Sequence, residues 1–410
     1  MNTTPDPVHV LGLAPGSLIP PPDCAEILAR ARVLVGGKRL LEACGRDLAP
    51  RAERRLPVSG PLDAVLRDIE SETMNGGVVV LADGDPLFYG LGKRLLEALG
   101  PERVVFHPNV STLQLAAARL KFPWQEAATV SLHGRSDYAP LFSALVRADH
   151  VLVFTDEENT PQAIARALLE RGTDGFSMSV LENLGAPEER VQQVTLEEAW
   201  DQTFAPLNVV VFERQYPPEI PPCLGTPDHY FFHEKELITK LAVRAAGLAL
   251  LSVAPQALVW DLGAGCGSVS IEASHLASRG RVYAVEKNRN RAAMIRENVR
   301  RMGAWAVETV QGEMPGCLKG LPDPDRVFIG GGLGQDNAVL EEACRRLKSG
   351  GRVVIHCILL DTLHRAKGHL EQLNWHFGVT QLQASTSDRL AGDLRFRAQN
   401  PVFILWAEKP

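Results

Sequence analysis

An apolar run followed by alternating glycines constrains the fold of this chain most strongly. Residues 257–260 are apolar, and Asp261-Leu262-Gly263-Ala264-Gly265-Cys266-Gly267 leads into a helical pattern that includes Ile271 and Leu276. This order predicts a strand, a glycine turn and a helix. Glycine permits a positive φ and a close backbone approach to a ligand, and the helix N-terminus offers free N–H groups. The same glycine spacing also occurs in ordinary turns, so it does not establish a ligand site alone.

An acid at the end of the next apolar run favours nucleoside binding. The run 281–286 ends in Glu286, which lies nineteen positions beyond Gly267. A carboxylate near this spacing accepts hydrogen bonds from ribose hydroxyls in dinucleotide-binding folds. The third glycine comes one residue earlier than in the dehydrogenase fingerprint. Asp261-x-Gly-x-Gly-x-Gly instead resembles the first motif of class I S-adenosylmethionine (SAM) methyltransferases.

Length and composition set outer limits on the protein. A chain of 410 residues is expected to contain two or three domains, and 45% apolar with 22% charged residues is typical of globular proteins. The net charge of -6 argues against nonspecific nucleic-acid binding. The seven cysteines form no C-x-x-C pair, and we find neither a signal-peptide pattern nor a long apolar run. We therefore expect a cytoplasmic protein with no membrane partner.

Two acids follow a fully apolar strand in the N-terminal half. Residues 77–82 predict a strand covered on both faces, and Asp83-Gly84-Asp85-Pro86 comes directly after it. This sequence is ordinary turn chemistry, but open α/β sheets also bind ligands at the carboxyl ends of such strands. The first strand, 8–12, ends in a tight loop at 13–17, and residues 109–113 begin a helix.

Strands and helices alternate through the C-terminal half, with helices predicted between the first five strands. The pattern indicates a doubly wound parallel sheet whose last two strands form an antiparallel edge pair joined by a loop at 385–400. A proline-rich stretch at 216–222 is expected to act as a stiff spacer between the halves. The predicted strands are 257–262, 281–286, 305–310, 325–330, 352–358, about 377–384 and 401–407.

Three loops of the first half resemble those of the tetrapyrrole methylases, the class III SAM methyltransferases. They read Gly12-Leu13-Ala14-Pro15-Gly16, Gly84-Asp85-Pro86 and Ser111-Thr112. The runs 85–90 and 131–135 resemble the branch of that family that acts on precorrin-6Y or cobalt-precorrin-7. The chain departs from the family pattern at Ala14, where glycine is usual, and at Asp83, where serine is common. Both departures would narrow or reshape the N-terminal ligand site.

The second half is similar to the decarboxylating partner of that branch. The resemblance rests on Leu237-Ile238-Thr239-Lys240, on 260–267 and on Ile329-Gly330-Gly331-Gly332. Together the two halves, about 8–213 and 222–410, resemble the fused enzymes of cobalamin biosynthesis. The resemblance implies a two-lobed tetrapyrrole methylase fold for 1–214, a linker at 215–222, and a Rossmann-like class I methyltransferase with a seven-stranded sheet for 223–410.

The resemblance also implies an activity for each half. The N-terminal domain would methylate carbon 5 of precorrin-6Y. The C-terminal domain would methylate carbon 15 and remove carbon dioxide from the ring C acetate, giving precorrin-8X. Each domain would hold one SAM. The implied SAM-binding residues are Pro15, Gly84, Asp85, Phe88, Ser111 and Thr112 in the first half, and Thr239, Gly263, Ala264, Gly265, Cys266, Gly267, Glu286, Gly312, Glu313 and Met314 in the second.

A substrate edged with carboxylates favours arginines, which bind them bidentately. The candidates are Arg135 beside the first site and Arg389, Arg395 and Arg397 beside the second, with a solvated surface charge as the commoner role of any single arginine. His133 is a candidate for proton transfer, with packing or capping as the alternative.

No metal site is expected from the sequence. His229 and His233 have a usable spacing but lack a fourth ligand, and His356 in an apolar strand is expected to be a hydrogen-bonded core residue. Two other functions stay open: a SAM methyltransferase with another substrate, and a SAM- or tetrapyrrole-binding protein without catalysis. The resemblance further suggests a homo-oligomer assembled through the C-terminal domain.

Overall fold

The computed structural model describes residues 6–59, 61–74, 76–235, 237–331, 333–334 and 336–410. The chain divides into two compact units. One unit comprises Met1–His133, Leu152–Gln162 and Met178–Phe212, and the other comprises Gly134–Val151, Ala163–Ser177 and Glu213–Pro410. The predicted division around a linker at 215–222 stays a prediction. None of the helices within the described ranges is long and apolar enough to cross a membrane.

The first sheet is parallel and has the strand order β3-β2-β4-β1-β5. Its strands are β1 (Val8–Leu13), β2 (Val33–Gly36), β3 (Arg54–Pro57), β4 (Val78–Asp83) and β5 (Val104–His107). The accompanying helices are α1 (Ala25–Arg30), α2 (Lys38–Ala43), α3 (Leu62–Thr73), α4 (Gly92–Leu99) and α5 (Thr112–Leu120).

Strand β4 is buried on both faces, as its unbroken apolar sequence predicts. Val78 and Val80 join one core cluster, whereas Val79 and Leu81 join the other. Successive side chains of a strand point to opposite faces, so a central strand with both faces covered needs apolar residues at every position.

A second five-stranded sheet has the order β6-β7-β10-β8-β9. Its strands are β6 (Ala128–Ser131), β7 (His150–Phe154), β8 (Phe176–Glu182), β9 (Arg190–Val194) and β10 (Asn208–Arg214). The helices along this part of the chain are α6 (Ala139–Arg147), α7 (Pro161–Arg171) and α8 (Leu196–Asp201). Strands β8 and β9 pair antiparallel.

The C-terminal sheet has seven strands, which confirms the predicted number and the class I architecture. Its strands are β11 (Leu258–Leu262), β12 (Arg281–Glu286), β13 (Val307–Gln311), β14 (Arg326–Ile329), β15 (Arg352–Cys357), β16 (His376–Leu382) and β19 (Val402–Glu408), with the pair β17 (Ser385–Leu390) and β18 (Asp393–Ala398) inserted between the last two. The helices are α9 (Leu241–Leu251), α10 (Ser268–Leu276), α11 (Arg289–Met302), α12 (Ala338–Arg346) and α13 (Leu360–Gln372).

The strand order β13-β12-β11-β14-β15-β19-β16 reverses direction at β11. Strand β11 pairs in parallel with β12 on one side and β14 on the other. The chains leaving β11 and β14 therefore run to opposite sides of the sheet, which opens a crevice at their carboxyl ends. The glycine turn at 263–267 begins at this switch point.

Two predicted details are wrong. The segment 385–400, expected to be a loop, contains the antiparallel hairpin of β17 and β18. Between β13 and β14 the chain forms a short 3-10 turn, Gly316–Gly320, instead of an α-helix. The predicted antiparallel edge pair is confirmed, because β16 pairs with β19 at the end of the sheet and β19 joins the pair to β15.

A fully buried arginine ties helix α9 to helix α10. Arg244 on α9 donates from Nε to Glu272 Oε1 at 2.7 Å, and the exposed fractions of the two side chains are 0% and 1%. Its other guanidinium nitrogens donate to the backbone oxygens of Thr226 and Thr239. Glu272 also accepts from the backbone N–H groups of Gly225 and Thr226 at 3.2 and 3.1 Å. The irregular segment before α9 is thereby fastened to the domain core.

We expect Glu272→Ala to destabilise this domain by about 3 kcal/mol, because the buried Arg244 charge then keeps only Asp228, a partly exposed carboxylate at 3.1 Å, as a charged partner. The matched control is Arg345→Ala, which removes an exposed pair with Glu342 and should cost less than about 1 kcal/mol. Urea unfolding followed by circular dichroism measures both free energies of unfolding. A loss of equal size in the two variants would contradict the structural role of the buried pair.

Candidate functional sites

A cavity of about 1200 Å³ opens at the carboxyl ends of the central strands of the C-terminal sheet. Its wall includes the turn after β11, the end of β12, the loop after β14 and the segment before α9. These are the positions where a doubly wound sheet exposes loop ends to a ligand. The predicted SAM-binding elements of the second half therefore meet around one cavity.

The glycine turn is folded against strand β12 and the loop after β14. The backbone N–H groups of Gly263 and Ala264 both donate to Val285 O at 3.0 Å. Gly263 has φ +75°, and a Cβ on it would lie 2.5 Å from Gly331 O. Any larger residue at position 263 would push these two loops apart, so glycine is required for close packing here.

Glu286 lies at the end of β12 with its carboxylate directed at the turn. Its exposed fraction is 5%, and its two oxygens accept from the N–H groups of Gly265 at 3.0 Å and Asn288 at 2.9 Å. A carboxylate has about four acceptor positions, so about two stay available for hydroxyl groups of a ligand. The structure places this predicted residue at the cavity in a state that could accept hydrogen bonds from a ribose.

Asp261, the first residue of the motif, is buried beneath the turn and does not line the cavity. Its side chain accepts a hydrogen bond from Ser270 of α10, and its exposed fraction is 1%. Burial raises the pKa of Asp261 to about 7, because an anion loses hydration there. Its contact is therefore with the helix that follows the turn.

The other predicted residues of the second half lie on or beside the cavity. Thr239, Cys266, Glu313 and Met314 line it, whereas Gly312 supports it by donating from its N–H to Glu286 O at 3.2 Å. Burial raises the pKa of the Cys266 thiol, so a thiolate is disfavoured at this position.

Gly267 does not line the cavity but begins α10 in the left-handed conformation. Gly332, named in the third motif, lies outside the described residues.

The three predicted arginines of the second half are separated by the hairpin. Arg397 on β18 lines the cavity. Arg395, on the same strand, instead bonds across the hairpin to Asp388, with N–O distances of 2.8 and 3.2 Å. Arg389 lies on β17 and is exposed, and neither it nor Arg395 lines the cavity. Strand alternation puts Arg389 on the opposite face of the hairpin from Arg395 and Arg397, a difference that could not be read from a segment predicted to be a loop.

Several cavity residues were missed by reasoning from the sequence. Lys240, Lys287 and Arg291 add positive charge to the wall, but isolated basic residues carry no motif signal.

Asn298 of α11 is fully buried, and its side chain donates to Phe232 O and Cys266 O at 2.9 Å. Asn298 therefore joins the glycine turn to the segment before α9. Because Asn298 and Phe232 are 66 residues apart in the sequence, no local pattern reveals this contact.

His356 was predicted to be a hydrogen-bonded core residue, and this prediction is wrong. The side chain lines the cavity, and its Nε2 has no hydrogen-bond partner among the described residues. Burial lowers the pKa of His356 to about 4, since the charged imidazolium would lose its hydration. The ring is therefore neutral near pH 7.

The three ligand loops of the first half also come together at one edge of their sheet. Gly84 N donates to Leu13 O at 2.7 Å, and Asn109 N donates to Gly84 O at 3.2 Å. A Cβ on Gly12 would lie only 1.8 Å from Gly84 O, so the loops after β1 and β4 are in direct backbone contact. This packing brings the loop of Pro15 close to the Gly84 turn.

The polar side chains of these loops are largely used to hold their shape. Ser111 accepts from Gln114 N at 3.2 Å and forms a capping box at the start of α5, where Thr112 is the first helical residue. Asp85 Oδ1 accepts from Leu87 N at 2.9 Å. Phe88 packs edge-on against Phe154, with ring centroids 5.9 Å apart. His133 and Arg135 are exposed in the turn after β6, and their roles stay predictions.

Comparison with known proteins agrees with both folds. Residues 8–199 match the family model of tetrapyrrole (corrin/porphyrin) methylases, and residues 229–409 match that of the precorrin methyltransferase domain. The fold and these two matches define a methyltransferase of the tetrapyrrole-methylating class. A precorrin-6Y C(5,15)-methyltransferase (decarboxylating) from Sinorhizobium sp. is 35% identical over 347 residues, which are 83% of this chain and 81% of the relative. The chain belongs to the precorrin-6Y C(5,15)-methyltransferase (decarboxylating) family.

Two further relatives match a smaller part of the chain. A cobalt-precorrin-6B C(15)-methyltransferase (decarboxylating) from Salmonella typhimurium is 35% identical over 42% of this chain and 89% of its own length. A solved structure of a precorrin-6Y C5,15-methyltransferase from Geobacter metallireducens is 40% identical and covers 47% of this chain and 100% of that chain, with a TM-score of 0.44.

Proposed function

We propose that this protein methylates precorrin-6Y at carbons 5 and 15 and removes carbon dioxide from the ring C acetate, giving precorrin-8X. The observation that carries the proposal is the continuous cavity that begins at the SAM-type glycine turn and extends to Arg397. Its volume of about 1200 Å³ exceeds the range of about 300–1,000 Å³ usual for pockets that hold one drug-sized ligand. A cofactor and part of a macrocycle would fit together in such a space.

The two activities would be divided between the two halves. Residues 1–214 would methylate carbon 5, and residues 223–410 would methylate carbon 15 and release carbon dioxide. This division is supported by the separate ligand loops of each half and by the two family matches. It is also supported by the single-activity C(15) relative, which aligns over most of its own length with less than half of this chain.

Each half would bind one SAM, which supplies an activated methyl group on a sulfonium. In the C-terminal domain the fit rests on the close-packed turn at Gly263, on the remaining acceptor capacity of Glu286 and on the cavity-lining Thr239. In the N-terminal domain it rests on the backbone contact between the Gly12 and Gly84 loops and on the capped start of α5 at Ser111.

The protein's own contribution is mainly binding and orientation. Methyl transfer to carbon requires in-line geometry and exclusion of water, not a nucleophilic side chain. Lys240, Lys287, Arg291 and Arg397 on the cavity wall would attract the carboxylates of the substrate. Because Arg291 already bonds Glu234 at 3.3 Å and Lys240 also has a partner, Lys287 and Arg397 are the better candidates for direct carboxylate binding.

Incubation of the protein with precorrin-6Y and SAM is expected to add two methyl groups and remove one carbon dioxide, as measured by mass spectrometry. Gly263→Ala should stop the C-terminal reactions because its Cβ would collide with Gly331 O, so the product gains one methyl and keeps the carboxylate. Gly316→Ala is the matched control, since its Cβ would meet no atom within 4 Å. An unchanged substrate mass with the wild-type protein would refute the proposed function.

Calorimetric titration with SAM is expected to give two sites per chain. Glu286→Ala should weaken one of them by about tenfold or more, because hydrogen bonds to a charged group are lost, and should leave the other unchanged. Glu342→Ala, which alters a partly exposed carboxylate on α12 outside the cavity wall, serves as the control. A single site in the wild-type protein, or full affinity at both sites in Glu286→Ala, would contradict this assignment.

The compartment and the assembly state are also proposed. All seven cysteines are free thiols, which fits a reducing cytoplasm. The hairpin of β17 and β18 exposes Leu390, Leu394 and Phe396, with exposed fractions of 53%, 67% and 80%. A two-stranded hairpin is marginally stable alone, and its apolar side chains favour burial against another surface. We propose that a second copy of the C-terminal domain covers it.

Phe396→Asp is expected to shift the protein toward a smaller species in sedimentation velocity, because it places a charge in the proposed contact. Met74→Asp alters an equally exposed side chain at the end of α3, with an exposed fraction of 77%, and should leave the sedimentation coefficient unchanged. A wild-type protein that sediments as a monomer would rule out the assembly.

A further inference from the structure

One wall of the C-terminal cavity is formed by four uncharged side chains. Val243, His356, Ile358 and Val402 all line the cavity. His356 lies near the end of β15, and Ile358 follows Cys357, the last residue of that strand. His356 pairs with Ile404 on β19, which places Val402, two residues earlier, on the same side of the sheet as His356. We call these four residues the neutral wall.

Helix α9 leaves room for the imidazole within this wall. Val243 and Gly247 are one turn apart on α9, and a Cβ on Gly247 would lie 2.5 Å from His356 Nε2. Glycine weakens a helix interior, and an unpaired buried nitrogen is unfavourable as well. Both unfavourable features occur together beside the cavity. Such local conflicts are expected where a site serves a ligand rather than stability.

The ring of His356 is held in one orientation. It packs edge-on against Phe328, with ring centroids 4.6 Å apart, and Nε2 faces the backbone of α9. Low pKa and tight packing both keep the imidazole neutral. A neutral imidazole carries one N–H donor and no charge.

The chemistry of decarboxylation favours such an environment. The bond between the exocyclic methylene and the carboxyl carbon breaks, and its electron pair enters the conjugated ring. The carboxylate leaves as carbon dioxide, and a proton from water then adds to the methylene carbon. Negative charge moves from the carboxylate into the ring, so a cation bound to the carboxylate would stabilise the ground state more than the transition state. An uncharged surface with one hydrogen-bond donor avoids this penalty.

We propose that the neutral wall receives the acetate carboxylate that the reaction removes, with the Nδ1–H of His356 as its single hydrogen-bond donor, because Nε2 is buried against the backbone of α9. The carboxylates that the substrate keeps would face Lys287 and Arg397 on other parts of the cavity. This inference rests on the proposed function and adds the position of the leaving group to it.

The first test places a cation in the wall. Ile358 is 69% exposed, so Ile358→Lys should fold, and its ammonium would hold the carboxylate in the ground state. With the full-length protein, precorrin-6Y and SAM, we expect carbon dioxide release to slow about tenfold or more, while the carbon 5 methylation continues at the wild-type rate. Equilibrium binding of the substrate, followed by its visible absorbance, should be as tight as in the wild type or tighter. Leu360→Lys is the matched control, since Leu360 is 66% exposed and does not line the cavity.

The second test removes the donor. His356→Leu should slow carbon dioxide release and weaken substrate binding about fivefold, the effect of one lost hydrogen bond. His369→Leu is its control, because Nε2 of His369 is also buried without a partner but lies outside the cavity wall. Unchanged SAM affinity would verify that each variant keeps its fold.

The outcomes separate this inference from the proposed function. If the wild-type protein forms the expected product and Ile358→Lys and His356→Leu release carbon dioxide at its rate, the neutral wall is not the carboxylate site. An equal loss in Leu360→Lys or His369→Leu would overturn the inference as well. If the wild-type protein leaves the substrate mass unchanged, the proposed function fails and the inference fails with it.

Discussion

The buried contact between Arg244 and Glu272 is the interaction on which the C-terminal site depends. The segment before α9 has little regular structure, yet it supplies Thr239 and Lys240 to the cavity wall. Arg244 fastens that segment through the carbonyl groups of Thr226 and Thr239, and Glu272 fastens it through two N–H groups. A buried guanidinium is tolerated only when its N–H groups are hydrogen-bonded. The cluster around Arg244 therefore specifies one position for the segment before α9.

The rest of the cavity follows from the sheet. Because the strand order reverses at β11, the ends of β11, β12 and β14 open a crevice where loops can surround a ligand. Gly263 brings two of these loops into backbone contact, and Asn298 ties the turn to the preceding segment. The cavity therefore combines the glycine turn, four basic side chains and the neutral wall along one open cleft.

Much of this arrangement could be predicted from local patterns. Unbroken apolar runs such as 78–82 identified buried strands, and the alternation of strands and helices identified the seven-stranded sheet. The hairpin of β17 and β18 could not be identified in this way, because its exposed strands carry no buried face and hence no periodic signal. For the same reason Arg397 could not be distinguished from Arg389, which lies on the other face of the hairpin, or from Arg395, which bonds Asp388.

The sequence by itself determined the two folds and the family, because glycines and apolar runs act over a few neighbouring positions. Only the tertiary structure decided which distant side chains share the cavity. His356 illustrates the difference: a histidine in an apolar strand was expected to be satisfied in the core, yet the packing of α9 at Gly247 leaves it unpaired at the cavity. Its hydrogen bonding and charge depend on contacts more than a hundred residues away along the chain, and these are set by packing rather than by local sequence.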